Sequence, residues 1–221
     1  MTRQKKIEKK RKTCRLCGGA PEKPVLTSGD ARKHFCCVEC GMINTEERYF
    51  LTREEEKKRY MLHENSPFDK AYRDFLMKAV SPALTYITRE QEGLDYGSGP
   101  GPALSAILKE EGYKCADYDP FFFDVLPEKQ VGFIFATEVI EHFFFPKEEV
   151  KKMRELLLPG GVLTLMTQRY SSLENFEKWY YARDDSHVAF YHKKTFDIIC
   201  EKFGFKKLFD DGERVVILEK T

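Results

Sequence analysis

The stretch that most limits how this 221-residue chain can fold is Leu94-Asp-Tyr-Gly-Ser-Gly-Pro-Gly-Pro102. It is followed by Ala103-Leu-Ser-Ala-Ile-Leu-Lys-Glu-Glu111, whose apolar residues recur at helical spacing. The order is strand, glycine-rich turn, helix. Glycines let a backbone approach a ligand closely, and a helix N-terminus offers unpaired N–H groups beside it. The next run, Tyr113-Lys-Cys-Ala-Asp-Tyr-Asp119-Pro120, reads as a strand ending in an acid. An acid about 20 residues beyond such a loop can bind the two ribose hydroxyls of a nucleoside. The G-x-G-x-x-G spacing is absent, which disfavours NAD.

Hydrophobic residues make up 42% of the chain, enough for a real core. Lys and Arg total 37 against 36 Asp and Glu, which argues against binding polyanions along the whole chain. The balance conceals an asymmetry. Residues 1–13 carry seven basic residues and Glu8 alone as an acid, so the remainder is net acidic. This segment reads as a disordered tail, either simply solvated or an arm that touches RNA. No apolar stretch follows the basic start, so no secretory signal is expected. No run approaches the ~20 apolar residues of a membrane span. These readings predict a cytoplasmic protein without a membrane partner, in which thiols stay reduced.

Five of the seven cysteines lie between positions 14 and 40, as Cys14-Arg-Leu-Cys17-Gly18 and Cys36-Cys37-Val-Glu-Cys40-Gly41. Two C-x-x-C-G units have the pattern of two zinc knuckles. In each, a trailing glycine permits the tight turn that brings the second sulfur to the metal. Cys14, Cys17, Cys37 and Cys40 are the predicted ligands of a structural Zn²⁺. Cys36 competes with Cys37, but only Cys37 preserves the two-residue gap and the glycine. His34 could replace one ligand, and reduced, partly buried cysteines without metal are the plainer alternative. A segment of this length can hardly build a core without metal. A closed four-cysteine site leaves no open position, so it acts as a folding staple or a recognition surface. Cys115 and Cys200 read as core residues.

Residues 14–45 thus form the predicted zinc module, and 46–90 a helical connector. Glu46 to Met61 reads as one helix with a thin stripe of Phe50, Arg53 and Lys57. A second helix, started by Ser66, Pro67 and Asp69, runs to about Leu84 with Phe68, Tyr72, Phe75, Leu76 and Ala79 on one face, and Pro82 bends or ends it.

Four motifs in order carry a resemblance. Asp95-x-Gly97-x-Gly99-Pro100-Gly101 resembles the first motif of class I S-adenosylmethionine-dependent methyltransferases, and Asp119 matches their second-strand acid. Phe133-Ile-Phe-Ala-Thr-Glu-Val-Ile-Glu-His142 resembles their fourth strand and its loop. Leu156-Leu-Leu-Pro-Gly160-Gly161-Val-Leu-Thr-Leu-Met166 resembles their helix, turn and fifth strand. The segment Phe205–Glu219 suits the family's terminal antiparallel hairpin. The N-terminal cysteines look more loosely like the zinc-binding start of some bacterial methyltransferases. The resemblance implies an α/β fold, a Rossmann-like methyltransferase domain over residues 91–221. Only about a dozen residues separate Asp119 from Phe133, so the family's third strand, with its adenine-contacting acid, is expected to be missing or short. Asp124 is a weak substitute. Phe121-Phe-Phe123 packs against either the adenine or the core.

The resemblance also implies site residues. Asp95, Gly97, Gly99 and Gly101, with Tyr96 and Ser98 between them, would line the methionine part of S-adenosylmethionine. Asp119 would take the ribose, with Pro120 and Phe121 beside it. Thr137 and Glu138, at the end of the fourth strand, would face the site. Similar quinone-type methyltransferases carry an acid–histidine pair where Glu141-His142 stands. That makes His142 the first candidate base, the alternative being a histidine that orders the loop. After the fifth strand, Trp179-Tyr-Tyr-Ala-Arg-Asp-Asp-Ser-His-Val-Ala-Phe-Tyr-His192 sits where the family varies its substrate cover. There His187, Tyr191 and Arg183 either touch substrate or belong to a packed lid. The expected activity is methyl transfer to a small-molecule acceptor. The alternatives are an RNA methyltransferase gripping its substrate with the zinc module and basic tail, or a non-catalytic binding protein, which the intact glycine loop and Asp119 disfavour.

Overall fold

A computed structural model describes residues 13–19, 23–25, 31–62 and 66–221. The N-terminal segment holds three short strands, β1 (Lys23–Val25), β2 (His34–Cys36) and β3 (Ile43–Thr45). Two helices follow, α1 (Arg53–Tyr60) and α2 (Lys70–Ala83). Then come β4 (Glu92–Tyr96), α3 (Ala103–Glu110), β5 (Lys114–Tyr118), β6 (Val131–Thr137), α4 (Pro146–Leu156) and β7 (Leu157–Met166). The chain finishes with α5 (Leu173–Lys178), β8 (Ala189–Phe190), α6 (Lys193–Phe203), β9 (Phe205–Asp210) and β10 (Val215–Lys220). Most of the basic tail lies outside the described residues. No helix among the described residues is long and apolar enough to cross a membrane.

Six strands form the main sheet in the order β5-β4-β6-β7-β10-β9. β5, β4, β6 and β7 are parallel, while β10 runs antiparallel between β7 and β9. This is the Rossmann-like methyltransferase sheet with its antiparallel hairpin. The expected gap is present too: β5 is an edge strand, and only a single bridge, Asp119 to Phe123, occupies the place of a third strand. β6 is buried along nearly its whole length, as a central parallel strand must be. Its side chains alternate between two layers. Phe133 and Phe135 pack with α2 and α3 through Leu76, Val80, Leu104 and Ile107. Ile134 and Ala136 pack on the other face with Val150 and Met153 of α4 and Phe196 and Ile199 of α6. The cysteine segment shares that second layer through Cys14, Leu16, Cys37, Cys40 and Met42. After β4 the chain goes out to β5 and returns to β6 on the other side, so a topological switch point opens at the carboxyl ends of β4 and β6.

The small sheet has the order β1-β2-β3-β8. β8 belongs to the long insertion after β7, yet Ile43 pairs with Phe190 and Asn44 with Ala189. The insertion after β7 therefore contributes a strand to the cysteine-rich sheet.

The connector departs from expectation. Residues 46–61 do not form one helix but a short 3₁₀ turn, Glu47–Tyr49, followed by α1. Phe50 leaves the helical path to stack on Phe144, ring centroids 4.4 Å apart, with the Arg15 guanidinium 4.7 Å from the Phe50 ring centroid. Thr52 then caps α1 in a reciprocal capping box with Glu55. Asp69 caps α2 by accepting from the amides of Ala71 and Tyr72, which leaves Phe68 ahead of the helix and 92% exposed. Pro82 does lie in the last turn of α2.

Candidate active site

The glycine loop springs from the end of β4. The amides of Gly97 and Ser98 both donate to the Tyr118 carbonyl, at 2.7 and 3.1 Å. Gly99 donates to Asp119 Oδ2 at 3.1 Å, and Phe121 donates to Oδ1 at 2.8 Å. Asp119 thus ties the loop to the end of β5. Burial raises its pKa, against the pull of those amides. Gly97 has φ +86, and a Cβ there would meet Val139 Cγ2 at 2.3 Å, so only glycine fits without displacement. Asp95 is buried, and burial with the charges of Asp117 and Asp119 holds its pKa well above the usual carboxylate range.

Above the carboxyl ends of β4, β5 and β6 lies a cavity of about 1050 Å³. Of the residues expected from the sequence, Asp95, Tyr96, Gly97, Ser98, Gly99, Asp119, Pro120, Phe121, Thr137, Glu138, His142, Arg183 and His187 line it. Gly101, Asp124 and Tyr191 do not. Tyr191 is buried beside Phe196, and its hydroxyl donates to the Ile140 carbonyl at 2.9 Å, so it supports the turn carrying His142 instead of facing the cavity. The Phe121–Phe123 run is not core: Phe121 and Phe122 are half-buried under Arg53 and Lys57, and Phe123 is exposed.

At the far end of the cavity, polar groups crowd together. Glu138 has φ +50, the one positive φ outside glycine among the described residues, a strained geometry of the kind that collects at functional sites. Its amide donates to Met166 O at 2.7 Å, and its carboxylate faces Arg214 Nη1 at 3.4 Å. The Tyr181 hydroxyl lies within bonding reach of Glu138 Oε2, at 3.3 Å, and also of Glu141 Oε1. Glu141 is buried in the short 3₁₀ turn Ile140–His142. Burial, then the charge of Glu138, push it up to about 8. His142 and His187 meet edge to face, centroids 4.8 Å apart. Each sets Nδ1 against a backbone carbonyl, Ser186 O at 3.1 Å and Tyr181 O at 2.8 Å. A carbonyl only accepts, so Nδ1 carries the hydrogen and Nε2 is the basic nitrogen of each ring. Burial lowers the His187 pKa, against the pull of the Asp184 charge.

Two arginines from the cysteine segment hold this end in place. Arg15, inside the first C-x-x-C, donates to Phe144 O, Thr45 O, Val188 O and Asn44 Oδ1. Arg32 donates to the carbonyls of Ala182, Asp184, Asp185 and His187. From α1, Arg59 binds Asp184 at 2.5 Å. Neither arginine was singled out from sequence, nor were Tyr181 and Arg214. Tyr181 stands in the aromatic insertion, which was the available hint. The others carry no local signal.

The four cysteines of the two knuckles converge. Cys14 and Cys40 sulfurs are 3.6 Å apart, Cys17 and Cys37 sulfurs 3.5 Å, and all four lie within 4.8 Å of one another. Gly18 and Gly41 have φ +73 and +76, the left-handed turns that the motif requires. The amides of Gly19 and Met42 point at Cys17 and Cys40 sulfurs, at 3.3 and 3.4 Å. Cys36 faces Tyr170 instead, and His34 Nδ1 lies 3.0 Å from the Thr45 hydroxyl.

A family model described as a methyltransferase domain matches residues 68–208, and the chain belongs to that family. Its enzyme class is that of the class I methyltransferases. Among solved structures, 1,6-didemethyltoxoflavin-N1-methyltransferase from Burkholderia thailandensis is similar at 14% identity and TM-score 0.54, over 90% of this chain and 99% of that one. An O-methyltransferase family 2 protein from Planctomyces limnophilus, in complex with apigenin, has 15% identity and TM-score 0.53, over 77% of this chain and 62% of that one. An Archaeoglobus fulgidus SAM-dependent methyltransferase has 17% identity and TM-score 0.50, over 67% and 94%. At such identities the likeness is one of fold. No curated protein matches the sequence.

Proposed function

We propose that the protein transfers a methyl group from S-adenosylmethionine to a small-molecule acceptor. One observation carries this: a single cavity joins the glycine loop and Asp119 at one end to the Glu138, Glu141, His142 and His187 cluster at the other. Its volume suits a nucleoside cofactor with a small acceptor. The residues fit the cofactor chemically. Asp95 is a buried carboxyl surrounded by other acids, and a cationic methionine end would offset that charge. Asp119, beside the open face of Gly99, stands where ribose hydroxyls would lie. Related folds in the toxoflavin and apigenin structures hold small molecules, which supports an acceptor of that class.

The cofactor, when bound, supplies an already activated methyl on sulfur. The protein's work is then alignment and exclusion of water. The glycine loop and Asp119 orient the donor. Tyr181 and the strained Glu138 fix the floor of the acceptor end. While no ion is bound to them, His142 and His187 present Nε2 atoms that can take a proton from an accepting group. Tyr191 acts from behind, through the Ile140 carbonyl. The RNA reading depends on the basic tail, most of which lies outside the described residues.

The cysteine cluster is read as a structural zinc site. With Zn–S bonds of about 2.3 Å, a tetrahedron has edges of roughly 3.8 Å, close to the 3.5 and 3.6 Å seen. Closed by four sulfurs, the site staples the strand and the two arginines that position the cover.

Calorimetry with S-adenosylhomocysteine tests the main reading. Binding at micromolar or tighter affinity is expected, with at least a tenfold loss in Asp119→Ala; no binding by the wild-type protein would refute it. Metal analysis is expected to give one zinc per chain, lost from Cys37→Ser but retained in Cys36→Ser.

A further inference from the structure

We infer that Glu141, His142 and His187 form a second metal site, for a divalent first-row transition ion, facing the acceptor end of the cavity. A carboxylate oxygen of Glu141 and one nitrogen from each imidazole already lie within 4.8 Å of one another. Ions with bonds of about 2.1 Å hold neighbouring donor atoms roughly 3–4 Å apart, so a side-chain contraction of about 1 Å completes the set.

The surroundings are those of ligands and not of ordinary core residues. Each ring donates its Nδ1 hydrogen to a backbone carbonyl, Ser186 O or Tyr181 O. This is the arrangement that fixes tautomer and orientation in metal-binding histidines, turning Nε2 toward the ion. Glu141 is held through Oε1 by the Tyr181 hydroxyl, whereas Oε2 is buried with no hydrogen-bond partner. A buried carboxylate oxygen without a partner is costly, and a cation would satisfy it. Two imidazoles and one carboxylate are also the donor set of non-thiolate transition-metal sites that keep open positions. All three residues line the cavity, so those open positions face the space left for an acceptor.

This site is chemically distinct from the cysteine cluster, whose soft thiolates favour zinc. Mn²⁺, a hard ion that prefers oxygen to thiolate donors and so does not compete for the cysteines, therefore serves as the probe. Protein carrying one zinc per chain is titrated with Mn²⁺ alone and free ion is read by electron paramagnetic resonance. About one Mn²⁺ per chain is expected in the wild type. His187→Ala and Glu141→Gln should each weaken it at least tenfold, while Tyr180→Phe, at a cavity residue outside the set, should not. Circular dichroism melts identify folded variants, and His142→Gln replaces any that fails to fold. Absence of Mn²⁺ binding at millimolar concentration, or binding unchanged in the folded variants, overturns the inference. The readout needs neither methyl donor nor turnover, so it stands or falls apart from the methyl-transfer reading.

Discussion

Replacing Gly97 with alanine tests whether the loop geometry is fixed by packing or is merely open. Two costs add. The residue has φ +86, and placing an L-residue in the left-handed region costs about 1–2 kcal/mol. The new methyl would also lie 2.3 Å from Val139 Cγ2 and 2.9 Å from Val139 Cβ, inside van der Waals contact. Overpacking of that kind costs typically about 1–3 kcal/mol. Together they predict roughly 2–5 kcal/mol, which in a domain of this size lowers the melting temperature by roughly 4–20 °C. Val139 follows strained Glu138, so the push should also reach the acceptor end. Gly99→Ala is the matched control. Its φ is +66, but no atom lies within 4 Å of the added methyl, so only the smaller backbone cost applies. That methyl enters the cavity, and the variant should keep most of its stability while losing affinity for S-adenosylhomocysteine. Thermal melts and calorimetry on both variants separate the effects. A Gly97→Ala protein that melts with the wild type, or a Gly99→Ala protein that is the less stable of the two, would refute the reasoning.

Three further outcomes are expected. Arg32→Ala removes a guanidinium whose side chain is only 7% exposed and leaves four carbonyls without it; a loss of about 3 kcal/mol and faster amide exchange across residues 182–188 should appear by hydrogen-exchange mass spectrometry. Burial raises the Glu56 pKa to about 7, above about 4.3 in the unfolded chain, so the folded state holds its proton longer. Its contribution to stability is then complete below about pH 4.3 and is lost as pH rises through 7; chemical denaturation across that range should show the fall, and Glu56→Gln should flatten it. Stripping metal with a chelator should lower the melting temperature and raise protease cleavage within residues 180–190, because the cysteine sheet carries β8.

The main sheet could be read from sequence because its signals are local. The glycine loop, the acid at Asp119 and the buried run of β6 each announce themselves within a few residues, whereas the turn expected at Gly160-Gly161 is part of strand β7. The shortened third strand was legible as mere distance between Asp119 and Phe133. Spacing also separated Cys37 from Cys36, and it is the Cys37 sulfur that joins the cluster. What could not be read depends on partners far along the chain. Phe50 abandons its helix because Phe144 offers a ring to stack on. Arg15 and Arg32 look like ordinary surface charges until the fold brings carbonyls of the insertion, from Ala182 to Val188, to them. His142 and His187 are 45 positions apart, and only the folded insertion sets their rings together. Tyr191 had the right chemistry for a site residue, but its neighbours turn it inward toward Ile140.

The pairing of β3 with β8 has a consequence for how the molecule forms. It joins residues far apart in the sequence, Ile43 and Phe190, and such contacts must overcome a large loop-closure entropy before they yield any stabilisation. During synthesis the cysteine hairpins emerge early, with the exposed edge of β3 waiting for a partner made much later. With zinc bound at the cysteine cluster as proposed above, the hairpins would be ordered before β8 arrives. Refolding without metal should therefore be slowed most in its last phase, the docking of the insertion, and early metal loading should shorten the period in which that edge can recruit a strand from another chain.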